Sequence, residues 1–414
     1  MADRTNETGT DQSTGKPGFP VGARVTEAQL SEDLHETLHQ IRLSEPVSWV
    51  PAVDGWLVTA YDLAVEALRS PDRFTVEDER FSTARVVGPS MLSTEGSRHR
   101  LNRQPFEPLF RTGPVLEASG AIAQAADHLI DRSEDRSGAE LRTGFAAPLA
   151  VKTISDFLGL TSPLEEPGSE VETRLLSAYR EIVVAVSNLT SELEVPEMAL
   201  AAVDELNTLI IDGCKHARVD GSETFSTMVR DPPMPMDRLL SNTAVILFGA
   251  IETCEGMTAN ALWHLLSDES QWAEASRLNT DKLPDFCRKV VAESLRMEPA
   301  AAVVHRYARH PTDLGGITIE RGDLVVISLA GASRDPAVFA EPDRFHLDRA
   351  NAGRHLAFAR GPHTCLGIHL ARLQTAIALE RFLRRIPSGH LDKARSSAPT
   401  GHIFRKPQRI AATW

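Results

Sequence analysis

The chain has 414 residues, of which 42% are hydrophobic and 24% are charged, and its 57 Asp and Glu residues outnumber its 44 Lys and Arg residues. That apolar content can bury a large core, which excludes a wholly disordered or fibrous protein. A formal net charge of −13 argues against general nucleic-acid binding, because phosphate contacts need clustered cations.

The amino-terminal segment is polar and contains no apolar core of a signal peptide. We therefore expect a disordered tail over residues 1–22, followed by one domain over residues 23–414. No apolar stretch approaches the ~18 residues that a membrane span needs, so no membrane partner is expected. The absence of any C-x-x-C pair favours a reducing, cytoplasmic location. The four cysteines are Cys214, Cys254, Cys287 and Cys365.

Helical periodicity dominates the rest of the chain, with apolar residues at three- and four-residue spacing. The helical stretches are Thr26–Ile41, Pro114–Asp131, Ala146–Leu158, Arg174–Leu189, Pro196–Lys215, Met236–Leu266 and Gly367–Arg385. The strand patterns are Trp56–Thr59, Val303–Arg306, Ile317–Ile319, Leu324–Ser328 and Ile403–Arg405. Turn residues at Glu320–Asp323 predict that the third and fourth of these strands form a hairpin. The stretches Thr75–Ser93 and Gly331–Leu356 have neither period, and the second is expected to be an ordered, meandering loop.

The most informative segment is Phe358-Ala-Arg-Gly361-Pro-His363-Thr-Cys365-Leu-Gly367, which leads into a helix. A cysteine just before a helix meets free backbone N–H groups and the positive end of the helix dipole, and both favour a thiolate. The glycines allow a flat or bulky group to approach the backbone, and the His363 imidazole can donate to an anion. These features suit a thiolate iron ligand beside an acidic cofactor, whereas the alternative is an ordinary buried cysteine.

This segment resembles the haem-binding loop of the cytochrome P450 family, F-x-x-G-x-H-x-C-x-G, and in particular that of its soluble bacterial members. The resemblance implies a mainly α P450 fold, a single large domain with small peripheral β-sheets. It also implies haem b as the cofactor, with Cys365 as the iron ligand and cofactor contacts from Phe358, Gly361, His363 and Gly367. Ala359 departs from the family's second glycine, and because alanine is nearly as small we expect little effect.

Two further motifs follow in the family's order. Glu293-Ser-Leu-Arg296 resembles the E-x-x-R pair, which Arg344 of the segment Pro342-Asp-Arg344-Phe345 would complete as a structural triad. Unrelated surface charges are the alternative. Gly249-Ala-Ile-Glu252-Thr253 resembles the oxygen-activation segment, with Ala250 where glycine is usual.

The second motif implies that Thr253 and Glu252 are the catalytic residues and relay protons during oxygen activation. The alternative is that the Thr253 hydroxyl bonds to the carbonyl four residues earlier and Glu252 forms an unrelated ion pair.

The resemblance also supplies cations for the haem carboxylates: His99 and Arg103, four residues apart on one helical face, with Arg306 and His363. Substrate contacts are expected from the long helix, the loop Val86–Met91, the helix around Val184–Leu189, the segment Ala301–Val304 and the turn at Ile403. The individual residues are Val87, Val245, Phe248, Gly249, Val303 and Ile403.

The implied activity is a monooxygenase that inserts one oxygen atom from O2 into a small organic substrate of bacterial secondary metabolism. Electrons would come from NAD(P)H through ferredoxin reductase and a small acidic ferredoxin. The docking surface would be basic, formed by Arg98, Arg100, Arg354, Arg360 and Arg372. The alternatives are another oxidative outcome (epoxidation, aryl coupling or desaturation), a haem-binding sensor without turnover, and an all-α ligand-binding protein without haem.

Overall fold

The computed structural model describes residues 18–134, 137–162, 164–188, 194–216 and 225–414. Residues 1–17 of the predicted tail therefore lie outside the described residues. Within the described ranges, no helix combines the length and the apolar character needed to cross a membrane.

Helices form more than half of the described chain. The first eight are α1 (Glu27–Ser31), α2 (Leu34–Ser44), α3 (Tyr61–Arg69), α4 (Ser82–Val87), α5 (Gly96–Arg103), α6 (Thr112–Glu117), α7 (Ser119–Glu134) and α8 (Ala147–Phe157). The others are α9 (Glu170–Asn188), α10 (Glu197–His216), α11 (Phe225–Arg230), α12 (Met236–Ser267), α13 (Glu269–Ser276), α14 (Leu283–Met297), α15 (Leu329–Ser333) and α16 (Ile368–Arg385). The long periodic stretches of the sequence are thus confirmed as helices.

Several predicted segments differ from the structure. The stretch Pro114–Asp131 spans two helices, α6 and α7. The predicted strand Ile403–Arg405 does not form, and Phe404 instead makes an isolated bridge with Ala301. The stretch Thr26–Ile41 forms two helices, because Thr26 and Gln29 close a capping box on the short α1 and Asp33 leaves the helical conformation. The irregular stretch Thr75–Ser93 contains α4, a helix too short for its periodicity to be visible in the sequence.

The strands are short. They are β1 (Val47–Val50), β2 (Gly55–Val58), β3 (Phe74–Thr75), β4 (Gly138–Glu140), β5 (Val303–Ala308), β6 (Thr312–Leu314), β7 (Ile317–Ile319), β8 (Leu324–Ser328), β9 (His390–Leu391), β10 (Pro399–Thr400), β11 (Lys406–Pro407) and β12 (Ala411–Thr413). The main sheet has the order β1-β2-β8-β5-β3, in which β2 and β8 are parallel and the other pairs are antiparallel.

The predicted hairpin between β7 and β8 is wrong. Instead β7 pairs with β6, and β8 lies between β2 and β5 in the main sheet. The turn that joins β6 to β7 is Gly315-Gly316, and both glycines have positive φ, 65° and 82°. Two consecutive residues with positive φ form the type of turn that suits a two-residue hairpin, so these glycines mark the true hairpin.

The 32-residue helix α12 organises the site. It is buried on most of its surface, as expected for a helix that is apolar all round, and it packs against α8, α14 and α16. The helix continues without a break through the segment Gly249–Cys254. The loop before α16 and the helix α5 complete the surroundings of one cavity.

Candidate active site

A cavity lies beside α12 and the loop that precedes α16. Residues of α12 at helical spacing form one part of its wall: Val245, Ile246, Gly249, Ala250, Thr253, Cys254 and Met257. Other parts come from the loop, which contributes Phe358 and Cys365, and from the connection between α14 and β5, which contributes Ala300 and Ala301. The lining is mainly apolar, with Cys365 and Thr253 among its few polar groups.

Cys365 lies two residues before Gly367, the N-cap of α16, and its exposed surface faces the cavity. Its N–H donates to the Phe358 carbonyl at 3.0 Å, which closes the loop. Burial raises the pKa of the Cys365 thiol, while the Gly367 N–H and the charge of Arg103 oppose that rise. The residues around Cys365 therefore contain groups that stabilise a thiolate.

At the other three cysteines, the effect of burial outweighs the groups that oppose it. Burial raises the pKa of each of their thiols to about 12. Cys254 also lines the cavity, but its buried thiol is a poor candidate for a ligand. The remaining two cysteines are Cys214 and Cys287.

The loop before Cys365 needs unusual backbone conformations. Gly361 has a φ of 79°, and a Cβ atom there would lie 2.3 Å from the Leu68 carbonyl oxygen. Gly361 is absent from the described cavity wall, and its positive φ lets the loop approach α3; a cofactor contact from Gly361 stays a prediction. Ala359 has a φ of 55°, a conformation that is unfavourable for a residue with a Cβ atom. Backbone conformation, and not only the size of the side chain, therefore bears on the difference between alanine and glycine at this position.

The predicted cations gather at one end of the site. The rings of His99 and His363 have their centroids 4.4 Å apart, and His363 Nε2 lies 3.0 Å from a carboxylate oxygen of Glu95. Burial, together with the charges of His363 and Arg103, lowers the pKa of His99 to about 4. Burial lowers the pKa of Arg306 to about 10, although Glu95 opposes this. Arg103 lines the cavity and donates to Glu107 at 3.1 Å.

These residues fit a haem. The Nε2 atom of His99 is buried and has no hydrogen-bond partner in the described part of the chain, so it remains able to bind a carboxylate. The mainly apolar cavity suits the flat face of a porphyrin, and the Cys365 thiol is available to its iron. Phe358 and Gly367 also line the cavity, next to Cys365.

Thr253 lines the cavity, and its hydroxyl donates to the Gly249 carbonyl four residues earlier. Glu252 is absent from the described cavity wall, and its carboxylate is bound by Lys406 and Tyr179. These are the contacts that the alternative interpretation predicts, in which the Thr253 hydroxyl bonds to the carbonyl four residues earlier and Glu252 forms an unrelated ion pair. They leave the Thr253 oxygen able to accept a hydrogen bond from the cavity.

The E-x-x-R pair is fully buried, and Arg296 donates two hydrogen bonds of 2.8 Å to the Glu293 carboxylate. Its third member is Arg349, whose Nε donates to Glu293 at 2.9 Å, so the prediction of Arg344 is wrong. The Arg344 side chain is 64% exposed and pairs with Glu341. Only the Arg344 backbone takes part, because its carbonyl accepts from both Arg296 and Arg349.

The chain between these two arginines wraps around the buried carboxylate. The backbone N–H of His346 donates to Glu293 at 3.0 Å, and the following turn brings Arg349 back toward it. The order of residues in the meander therefore does not reveal which arginine points inward.

Two of the residues predicted to contact substrate lie on the cavity wall, and the contacts themselves stay predictions. Val245 and Gly249 line the cavity, whereas Phe248 lies on another side of α12, between the rings of Tyr179 and Phe404. The lining positions of α12 follow one helical face, and residue 248 falls outside it.

The other three predicted contacts are absent from the cavity wall of the described residues. Val303 packs against an apolar cluster that includes Leu38, Leu57 and Val326. Its neighbour Val304 lines the cavity, because successive strand side chains point to opposite faces. Val87 is buried in the core between α12 and α9, while Met91 of the same loop reaches the cavity. Ile403 contributes its carbonyl, which accepts a hydrogen bond from Ala302.

Tyr179, Arg349 and Lys406 contact the predicted site residues but carry no signal in the sequence. Each is an ordinary residue type in an ordinary local pattern, and its role appears only when distant segments come together. Met91 and Leu92 were also missed as individual wall residues, since irregular loops give no period from which an inward face can be predicted.

Comparison with known proteins supports the same assignment. A family model described as Cytochrome P450 matches residues 280–408. Nocardicin C N-oxygenase of Nocardia uniformis subsp. tsuyamanensis is 30% identical over 403 residues, which cover 92% of this chain and 96% of that protein. Cytochrome P450 monooxygenase PikC of Streptomyces venezuelae is 30% identical over 380 residues, covering 87% and 85%.

The fold agrees with a solved structure. The crystal structure of CYP109B1 from Bacillus subtilis aligns with a TM-score of 0.77 at 22% sequence identity, covering 92% of this chain and 99% of that one. The helical fold and the cysteine-containing cavity define a haem-thiolate oxidoreductase. With relatives of this identity and coverage, the chain belongs to the cytochrome P450 family, whose cofactor is haem and whose members include monooxygenases.

Proposed function

We propose that this P450 inserts one oxygen atom from O2 into a small organic substrate of bacterial secondary metabolism. Support comes from the similarity to nocardicin C N-oxygenase and to the monooxygenase PikC. The single observation that carries the proposal is that Cys365 and Thr253 face one mainly apolar cavity. A cytoplasmic location and a domain over residues 23–414 belong to the same proposal.

When bound, haem b supplies the oxygen-activating chemistry, which a thiolate ligand favours. Cys365 provides that ligand, and the Gly367 N–H stabilises its sulfur. The haem carboxylates are held by His99, Arg103, Arg306 and His363, whose side chains gather at one end of the site. The protein thereby orients the cofactor, and the apolar walls exclude water from the space where substrate binds.

Thr253 and Glu252 supply protons in the proposed mechanism. The Thr253 hydroxyl donates to Gly249, so its oxygen can accept a hydrogen bond and orient a water molecule in the cavity. Glu252 lies one position earlier on the helix. It replaces the proton that this water gives up with a proton from solvent. Thr253 lies on the cavity wall, and Glu252 lies behind it, bound by Lys406 and Tyr179.

The test of the haem-thiolate assignment is an absorption spectrum of the reduced protein with carbon monoxide. Wild-type protein is expected to show the red-shifted Soret band of thiolate ligation, and Cys365→Ser is expected to abolish it. The controls Cys214→Ala, Cys254→Ala and Cys287→Ala are expected to retain the band. A Cys365→Ser protein that still shows it would overturn the assignment.

A haem-binding sensor is the second candidate. It is favoured by the position of Glu252, whose carboxylate is bound by Lys406 and is absent from the described cavity wall. Turnover separates the two. Substrate-dependent oxygen consumption with an electron donor is expected for the enzyme, whereas a sensor binds substrate without consuming oxygen. Product analysis then distinguishes hydroxylation from epoxidation, aryl coupling or desaturation, which the same site also accommodates.

A ferredoxin, reduced by NAD(P)H through its reductase, is the proposed electron donor. Of the predicted surface arginines, Arg100 and Arg354 are exposed. Arg98 is exposed but paired with Glu77. Arg360 and Arg372 are half-buried and bind neighbouring groups of the cysteine loop, among them the backbone and the ring of His355. The proposed docking charge therefore rests mainly on Arg100 and Arg354.

A further inference from the structure

Glu252 is held by two groups that are distant from it in sequence. Its Oε1 atom lies 2.7 Å from Lys406 Nζ of β11, and its Oε2 atom accepts a hydrogen bond of 2.7 Å from the Tyr179 hydroxyl of α9. The side chains of Glu252 and Lys406 are 12% and 14% exposed, respectively. Both carboxylate oxygens are thus engaged away from the cavity wall, and their partners fix the orientation of the group.

Lys406 also binds a second carboxylate on the same helix. Its Nζ lies 3.1 Å from Glu255 Oε2, and Glu255 Oε1 accepts a hydrogen bond of 2.9 Å from Arg142. Glu252 and Glu255 are three residues apart, so their side chains lie on one face of α12. Charges alternate along the row Glu252, Lys406, Glu255 and Arg142. Arg142, at 23% exposure, brings this row toward solvent.

The strand that carries Lys406 is firmly attached. Arg405 Nε donates to the buried Glu298 at 2.6 Å, and the Phe404 ring contacts the Phe248 ring of α12 at a centroid distance of 5.8 Å. Because side chains alternate along an extended segment, Phe404 and Lys406 both face α12 while Arg405 faces away. Lys406 is therefore held in place by the residues around it and is not a loose surface lysine.

Removal of Lys406 would leave two carboxylates facing each other on α12 without the cation between them. Like charges at this spacing repel, so Glu252 would turn away from Glu255. Tyr179 cannot compensate by charge, because burial, together with the neighbouring Glu252, raises the pKa of its phenol and keeps it a neutral donor. The charged groups that face Glu252 from the surrounding elements are thus Lys406, Glu255 and, through Glu255, Arg142.

We infer that Lys406 is a positioning residue that holds Glu252 in the orientation from which it replaces, with a proton from solvent, the proton given up by the water at Thr253, with Tyr179 as its second anchor. The inference rests on the proposed function, since it concerns how that reaction obtains protons. It adds a role for the carboxyl-terminal strand β11, which no sequence motif marks.

The experiment compares Lys406→Met with Lys406→Arg, which keeps the charge, and with Lys289→Met, a lysine of α14 paired with Asp348. Lys406→Met is expected to lower kcat about tenfold and to raise the solvent deuterium isotope effect on kcat, with KM unchanged. Lys406→Arg is expected to restore most of the loss, and Lys289→Met to match wild type. Unchanged kcat and isotope effect in Lys406→Met would overturn the inference.

A double-mutant comparison tests the route of the effect. If Lys406 acts through Glu252, Lys406→Met is expected to have no further effect on kcat in a Glu252→Gln background. An undiminished tenfold loss in that background would contradict the inference, since Lys406 would then act elsewhere.

Infrared spectroscopy of the haem-free protein provides a readout that does not depend on turnover. The carboxylate band of Glu252, identified by its loss in Glu252→Gln, is expected to shift in Lys406→Met and to stay in place in Lys289→Met. An unshifted band would overturn the inference. Failure of the proposed function has a different signature, because wild-type protein would then lack the thiolate spectrum or turnover while the band shift remained.

Discussion

Ala359 is the residue whose sequence and backbone disagree most clearly. Its φ of 55° lies in the left-handed region, which costs an L-residue with a Cβ atom roughly 1–2 kcal/mol. The loop nevertheless closes, because the Cys365 N–H bonds to Phe358 and Gly361 approaches α3. The cysteine loop is therefore built with a strained alanine beside its ligand.

Ala359→Gly is expected to stabilise the haem-free protein by about 0.5–1 kcal/mol, because relief of strain exceeds the extra entropy that glycine gives the unfolded chain. The measurement is the urea midpoint of unfolding. Ala201→Gly in the exposed face of α10 is the control and is expected to lose about 1 kcal/mol. A midpoint of Ala359→Gly at or below that of wild type would contradict the assignment of strain.

Thr253→Ala is expected to retain the haem, the thiolate spectrum and substrate binding, but to divert electrons to hydrogen peroxide. The reason is that no hydroxyl then orients water in the cavity at this position. The measurement is product formed and peroxide released per NAD(P)H consumed. The matched control is Thr243→Ala, a threonine of the same helix that bonds to the Leu239 carbonyl away from the cavity. Equal coupling in the two variants would show that another group delivers the proton.

At the level of elements, the buried triad fastens the meander after α15 to α14. Arg349→Met removes a 6%-exposed partner of the fully buried Glu293 and is expected to cost about 3–5 kcal/mol of stability. Arg344→Met removes an exposed pair and is expected to cost under about 1 kcal/mol. Thermal unfolding and haem retention of the two variants provide the measurement. The reverse order of stabilities would restore Arg344 to the triad.

The sequence was sufficient to locate groups of residues that have a fixed spacing. The cysteine loop, the E-x-x-R pair and the segment at Glu252–Thr253 lie within single short segments, so their members could be named before the fold was known. Predictions failed where a side chain's direction depends on its surroundings. Val303 and Val304 differ only in strand face, and Arg344 and Arg349 differ only in how the meander turns. Such choices are settled by packing between distant elements.

At the level of the whole molecule, a chain of net charge −13 must present a local basic surface if an acidic ferredoxin is to dock. Arg100→Glu with Arg354→Glu is expected to slow reduction by ferredoxin about tenfold at low ionic strength, with the difference shrinking as salt is added. Stopped-flow reduction at several salt concentrations is the measurement. Arg395→Glu, an exposed arginine near Asp392, is the control. Reduction rates that do not respond to salt would exclude this docking surface.

The pairing of His363 with Glu95 joins residues 268 positions apart, and Gly361 packs against the backbone of Leu68. The proposed carboxylate-binding end of the site is therefore assembled from segments far apart in the chain. Contacts at such separation require the closure of long loops and slow the folding of a protein. A nascent chain can form this end only after residues near 363 have been synthesised and have docked on the segments around residues 68 and 95. We therefore expect cofactor capture to be a late step of biogenesis, with a rate that reports on the long-range collapse of the chain.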